Sequence, residues 1–192
     1  MLRKLISTVC FIAAVLFSFT SELSAEAPIA EKHRIANYSD KGVCWFACVE
    51  SIANTKDCKR IAGLTDAVVE TGIGDQGATM ESREFWRLSR AFTITSRDNL
   101  SLNDLRKFSD AGIHGIAVLN PWTIVNGKPT CHAVVITDVS KDRETHKDGR
   151  GKRHDNYWIT FFDPNDTSSL YRLPWNQFSP SLRRVDFISF GN

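Results

Sequence analysis

Neither sign of charge prevails in this sequence: 24 Lys and Arg stand against 22 Asp and Glu, a net charge of +2. Such a balance gives no electrostatic footing for a nucleic-acid backbone or an anionic membrane surface, so neither partner is expected. Internal repeats and linker-like tracts are lacking as well, which points to one domain. The glycine-rich stretch Gly72-Ile73-Gly74-Asp75-Gln76-Gly77 has no Lys and no Ser or Thr where a phosphate-binding loop needs them, and it is read as a turn. The spacing Cys44-x3-Cys48-x9-Cys58 matches no common zinc arrangement. No metal or organic cofactor is therefore implied.

One long apolar run stands at the beginning of the sequence. It extends from Leu5 to Phe19, interrupted only by Ser7, Thr8 and Ser18, behind the basic head Met1-Leu2-Arg3-Lys4. It is shorter than the ~20 residues of a bilayer-spanning helix, and Leu23-Ser24-Ala25 supplies a small residue for peptidase cleavage. Residues 1–25 are expected to form a secretory signal peptide cut after Ala25, or alternatively after Ala27. The product would be exported, periplasmic or secreted, with no stable membrane insertion. Residues 26–42 read as a short polar leader and residues 43–192 as one folded domain.

An exported chain resides where disulfides are permitted, and Cys44, Cys48, Cys58 and Cys131 would all remain in it. Two bridges are one outcome. If Cys44 stays free, Cys48 with Cys58 is the expected pair, joined across the end of a helix near Asn54 and the turn Thr55-Lys56-Asp57.

The first half has helical periodicity. Cys44 to Ala53 is apolar nearly all round, with Glu50 its only charge, and belongs inside the domain. Ile61, Leu64, Val68 and Val69 mark a second helix. Thr79 is placed to cap a third that sets Phe85, Leu88 and Phe92 on one face. Ser101-x-x-Asp104 begins a fourth, with Leu102, Leu105 and Phe108 inward and Gly112 as the stop. After Gly112 the pattern becomes extended: 113–119, 131–139, 156–163 and 184–190 are rich in β-branched and aromatic residues and read as strands. The charged segment from Lys141 to Asp155 reads as a long solvated hairpin loop. Helices followed by antiparallel strands indicate an α+β domain, an N-terminal helical half packed on a C-terminal antiparallel β-sheet.

Thiol chemistry needs an ionisable cysteine, a base beside it and a group that orients the base. Cys44 opens a helix, where unpaired backbone N–H groups and the helix dipole favour an anion. Of the histidines, His33 lies in the leader, His146 and His154 in the charged loop, and His114 beside Gly112 and Gly115. His132 instead begins an apolar strand and shares one face with Val134 and Ile136. Asp163, at the end of the strand Tyr157-Trp158-Ile159-Thr160-Phe161-Phe162, is placed to orient it. Asn165 competes for that role, since an amide can also hold an imidazole.

These residues carry a resemblance. Gly42-Val43-Cys44-Trp45-Phe46-Ala47 is similar to the nucleophile segment of papain-like cysteine peptidases. With Cys48 added, and with His132-Ala133-Val134-Val135-Ile136 and Asp163-Pro164 following in order, the chain most resembles the small bacterial papain-like group that includes the AvrRpt2-type peptidases and the C39-like set. The resemblance covers about residues 37 to 190 and rests on three short motifs. It implies that 43–192 is a single catalytic domain that hydrolyses peptide bonds through Cys44, His132 and Asp163 and a thioester intermediate. It implies a protein or peptide substrate and leaves the oligomeric state open. Family members carry a Gln about six residues before the nucleophile as an oxyanion donor; here the place falls on Tyr38, with Asn37 beside it, and either could donate. Other thiol acyl-transfer enzymes share such a scaffold, among them peptidoglycan amidases or endopeptidases, deamidases and transglutaminases. A catalytically inactive binding module would share it too.

Overall fold

A computed structural model describes residues 29–37, 42–70, 92–122, 130–141, 146–147, 153–154 and 156–190. The expected signal peptide, Tyr38, the Gly72–Gly77 turn, nearly all of the Thr79 helix and most of the charged loop lie outside them. The alternating strands expected in the second half pair into one antiparallel sheet. Its strands are β1 (Phe92–Asp98), β2 (Gly115–Trp122), β3 (Thr130–Lys141), β6 (Tyr157–Asp163), β7 (Asp166–Pro174) and β8 (Leu182–Phe190), in the order β1-β8-β2-β3-β6-β7. Two short strands, β4 (His146–Lys147) and β5 (Arg153–His154), form a separate ribbon within the charged segment. The helices are α1 (Cys44–Thr55), α2 (Leu64–Glu70), α3 (Leu102–Asp110) and the single turn α4 (Trp175–Phe178).

Period-two alternation gives the sheet two apolar faces, and both are covered. On one, Phe46, Cys48, Val49 and Ile52 of α1 pack with Ile116, Ala133, Val135, Phe162 and Ile188. On the other, Leu105 of α3 and Phe178 of α4 pack with Ala117, Val134, Ile136, Phe161 and Val185. The helical first half thus divides between the two sides. Ser101 caps α3 as expected, its Oγ accepting from the Asp104 N–H, and Gly112 ends the helix with φ 67°. Glu50, the lone charge of α1, is buried. Its carboxylate accepts from Gly63 N at 2.6 Å and Thr65 N at 2.9 Å, and so caps the start of α2.

Three expectations need correction. Phe92 is not on a helix; it opens β1, pairing with Phe190, and the Thr93-Ile94-Thr95 alternation carries the strand along β8. β7 was not expected; it is an edge strand that exposes Ser168, Leu170 and Arg172 at alternate positions, so no apolar face marks it in the sequence. The Cys48–Cys58 bridge is absent, both being free thiols, since α1 turns Cys48 toward the sheet, where its Sγ donates to Ala133 O at 3.5 Å. Residues 29–37, within the short leader read over 26–42, contact the domain. Ile29 is buried, Ile35 N donates to Ser51 Oγ at 2.8 Å, and Arg34 Nη1 donates to Thr167 O at 2.9 Å.

Candidate active site

Gly42, at φ 63°, turns the chain through the left-handed region just before α1. Val43 follows as the N-cap and supplies no side-chain cap, so Cys44 starts the helix with no capping side chain at its first turn. The next residue is anchored from far away in sequence. Trp45 Nε1 donates to Asp186 Oδ2 at 2.9 Å; Asp186 is fully buried on β8 and also accepts from Ser96 Oγ at 2.7 Å and Arg184 Nε at 3.1 Å. This anchor escaped the sequence reading, although a carboxylate between Val185 and Phe187 in an apolar strand is the mark of a buried hydrogen-bonding centre.

His132 lies near the start of β3 and is buried. Its Nε2 is 2.8 Å from Oδ1 of the equally buried Asp163 at the end of β6. A carboxylate only accepts, so Nε2 carries the proton there, and the other ring nitrogen is left for the thiol of Cys44, to which His132 is also hydrogen-bonded. Burial alone pulls the imidazolium down. The hydrogen bonds to Asp163 and Cys44, with the negative charge of both, outweigh it and hold His132 up at about 9.

Asp163 and Asn165 both stand at Nε2 of the imidazole. Asp163 Oδ1 accepts from His132 and also from the Asn165 backbone N–H at 2.8 Å, closing a turn over Pro164, while the Asn165 side-chain nitrogen stands 3.4 Å from His132 Nε2. Asn37, expected as an oxyanion donor, is engaged elsewhere. Its Nδ2 donates to Asn165 Oδ1 at 2.7 Å, its backbone N–H donates to Pro164 O at 2.7 Å, and its Oδ1 is buried without a hydrogen-bond partner. Of the other histidines, His114 leads into β2 beside Gly115, and His146 pairs in register with His154 in the β4–β5 ribbon.

Two of the other thiols are held above the ordinary thiol value. Burial, then the charges of Cys44 and Asp163, push Cys48 well above the ordinary thiol value. Burial and Cys44 raise Cys131, partly offset by Arg184.

No family model matches this sequence, and no curated protein matches it. Among solved structures, the peptidase domain of Streptococcus ComA, a bi-functional ABC transporter involved in a quorum-sensing pathway, has a similar fold. The TM-score is 0.52 at 15% identity, over 83% of this chain and 99% of that one. The fold is that of a C39-like peptidase domain. Of the two groups named from the motifs, the likeness falls on the C39-like set and lends nothing to the AvrRpt2-type group. At this identity the C39-like likeness is one of fold, and what each side chain does has to be argued from its own geometry.

Proposed function

We propose that the chain is a cysteine peptidase in which Cys44 is the nucleophile, His132 the acid and base, and Asp163 the residue that orients His132. One observation carries the reading: a buried imidazole sits between a carboxylate at 2.8 Å and the thiol that opens a helix. The Cys44 thiolate attacks the scissile carbonyl carbon, and the carbonyl electron pair moves onto oxygen. The backbone N–H of Cys44, at the helix start, is the donor assigned to that oxyanion. Collapse of the intermediate breaks the C–N bond as His132 gives its proton to the leaving amine, and a thioester remains. Neutral His132 then takes a proton from water, the hydroxyl attacks the thioester, and the acid and the thiol are released. Export of the mature chain belongs to the same proposal, and N-terminal sequencing of the extracellular or periplasmic product tests it.

The decisive experiment compares wild type with Cys44→Ala and His132→Ala on a panel of peptide substrates, with iodoacetamide labelling resolved by cysteine. Wild type is expected to cleave and to label at Cys44, and each variant to lose cleavage. Undiminished cleavage by Cys44→Ala would refute the reading.

A further inference from the structure

We propose that Asn37 is a positioning residue: its side chain holds Asn165, and through it the Asp163-Pro164-Asn165 turn, so that the His132 ring keeps the orientation that serves Cys44. This rests on the assignment of Cys44 and His132 as nucleophile and base. It gives Asn37 a different task from the oxyanion donation expected of a residue near that place.

The hydrogen bonds form a continuous path. Asn37 grips the turn twice, through its backbone N–H to Pro164 O and through Nδ2 to Asn165 Oδ1, both at 2.7 Å. Asn165 in turn donates its backbone N–H to Asp163 Oδ1 at 2.8 Å, the same oxygen that meets His132 Nε2 at 2.8 Å. The Asn165 side chain also stands 3.4 Å from that ring nitrogen, too far for a strong hydrogen bond but close enough to wall the ring on one side. Every turn residue that touches the imidazole is thus tied, directly or through one neighbour, to Asn37.

Two further facts separate positioning from the alternatives. The segment 29–37 does not depend on Asn37 to stay attached, because Arg34 holds β7 through Thr167 O and Ile35 holds α1 through Ser51 Oγ. And the Asn37 amide nitrogen is directed at the turn, donating to Asn165 Oδ1 at 2.7 Å. Residues that orient a catalytic imidazole act on its ring position and protonation rather than on substrate affinity.

The test uses the whole protein in four forms: wild type, Asn37→Ala, Asn165→Ala and the double variant. Two readouts need no substrate, the NMR titration of the His132 ring and the rate of Cys44 alkylation by iodoacetamide at neutral pH. Either single variant is expected to move the His132 midpoint downward and to slow alkylation by about threefold to tenfold, the scale of one hydrogen bond. The double variant is expected to be no slower than Asn165→Ala alone, because both act on one path. Multiplying effects would overturn the proposal. So would an Asn37→Ala protein that cleaves peptide more slowly while its His132 midpoint stays put, the behaviour of an oxyanion donor. If Asn37→Ala does not fold, Asn37→Ser, too short to reach Asn165, is measured in its place with the same expectation. Should the titration and alkylation behave as stated while no form cleaves any peptide, the positioning role stands and the peptidase reading falls.

Discussion

Trp45, the residue after Cys44, is hydrogen-bonded through its indole N–H to Asp186, 141 positions later in the chain. The bond fixes the first turn of α1 to β8, and Asp186 is held for it by Ser96 and Arg184. Asp186→Ala leaves these donors without their shared acceptor inside the protein, and an expected loss of about 3–5 kcal/mol follows. Trp45→Phe removes the indole donor but leaves Oδ2 with Arg184 Nε at 3.2 Å, for a smaller expected loss of about 0.5–1.5 kcal/mol. Urea denaturation of both variants measures the order; equal or negligible losses would remove the anchor from the account.

The imidazolium of His132 gives stability a definite pH dependence. Its folded value of about 9 lies above the ordinary 6.5, so the folded state binds the extra proton between those values. The stabilisation is complete below about pH 6.5 and is lost as pH rises through about 9. The whole contribution is at most on the order of 3 kcal/mol, since one pKa unit is worth about 1.4 kcal/mol. Melting temperature should fall across this window in wild type and show a flatter profile in His132→Gln.

Iodoacetamide at neutral pH should label Cys44 first. Cys48 is buried and Cys131 raised, so both should react more slowly than Cys44 in the folded protein and at similar rates to it in denaturant. Peptide mass spectrometry over a short time course reads this directly, and preferential labelling of Cys131 would contradict it.

Glu50 joins α1 to α2 through two backbone N–H groups. Glu50→Ala exposes neither group to water and is expected to cost about 2–4 kcal/mol in chemical denaturation. Glu50→Gln keeps an accepting oxygen and should lose less. A neutral Glu50→Ala would mean that α2 does not need its cap.

Gly115 of β2 pairs with Phe187 of β8. A Cβ there would lie 2.6 Å from Val185 Cγ1 and 3.1 Å from Phe187 Cε1, and Val185 is fully buried with no room to retreat. Gly115→Ala is expected to destabilise by about 1–3 kcal/mol, an overpacking cost readable from the denaturation midpoint.

Much of this architecture was legible because periodicity reports burial. α1, α3, β2, β3, β6 and β8 carry strong apolar patterns, and the cysteine, histidine and aspartate fall at their ends. β1 and β7 were missed for one reason: both are edge strands, exposed along much of their length, so their sequences carry little apolar alternation. Phe92 misled because its spacing from Phe85 and Leu88 also fits a helix face. Asp186 was unseen because its partner Trp45 lies 141 positions away, which no local pattern encodes.

The strand order has a bearing on when the site can exist during synthesis. β8 lies between β1 and β2, so β1 has no neighbour until β8 is available, and the Trp45 anchor on Asp186 waits with it. Cys44, near the other end of the folded region, is therefore made early and seated late. A nascent chain lacking β8 would hold Cys44 on a helix that has yet to gain its Trp45–Asp186 bond, a partner made 141 positions later.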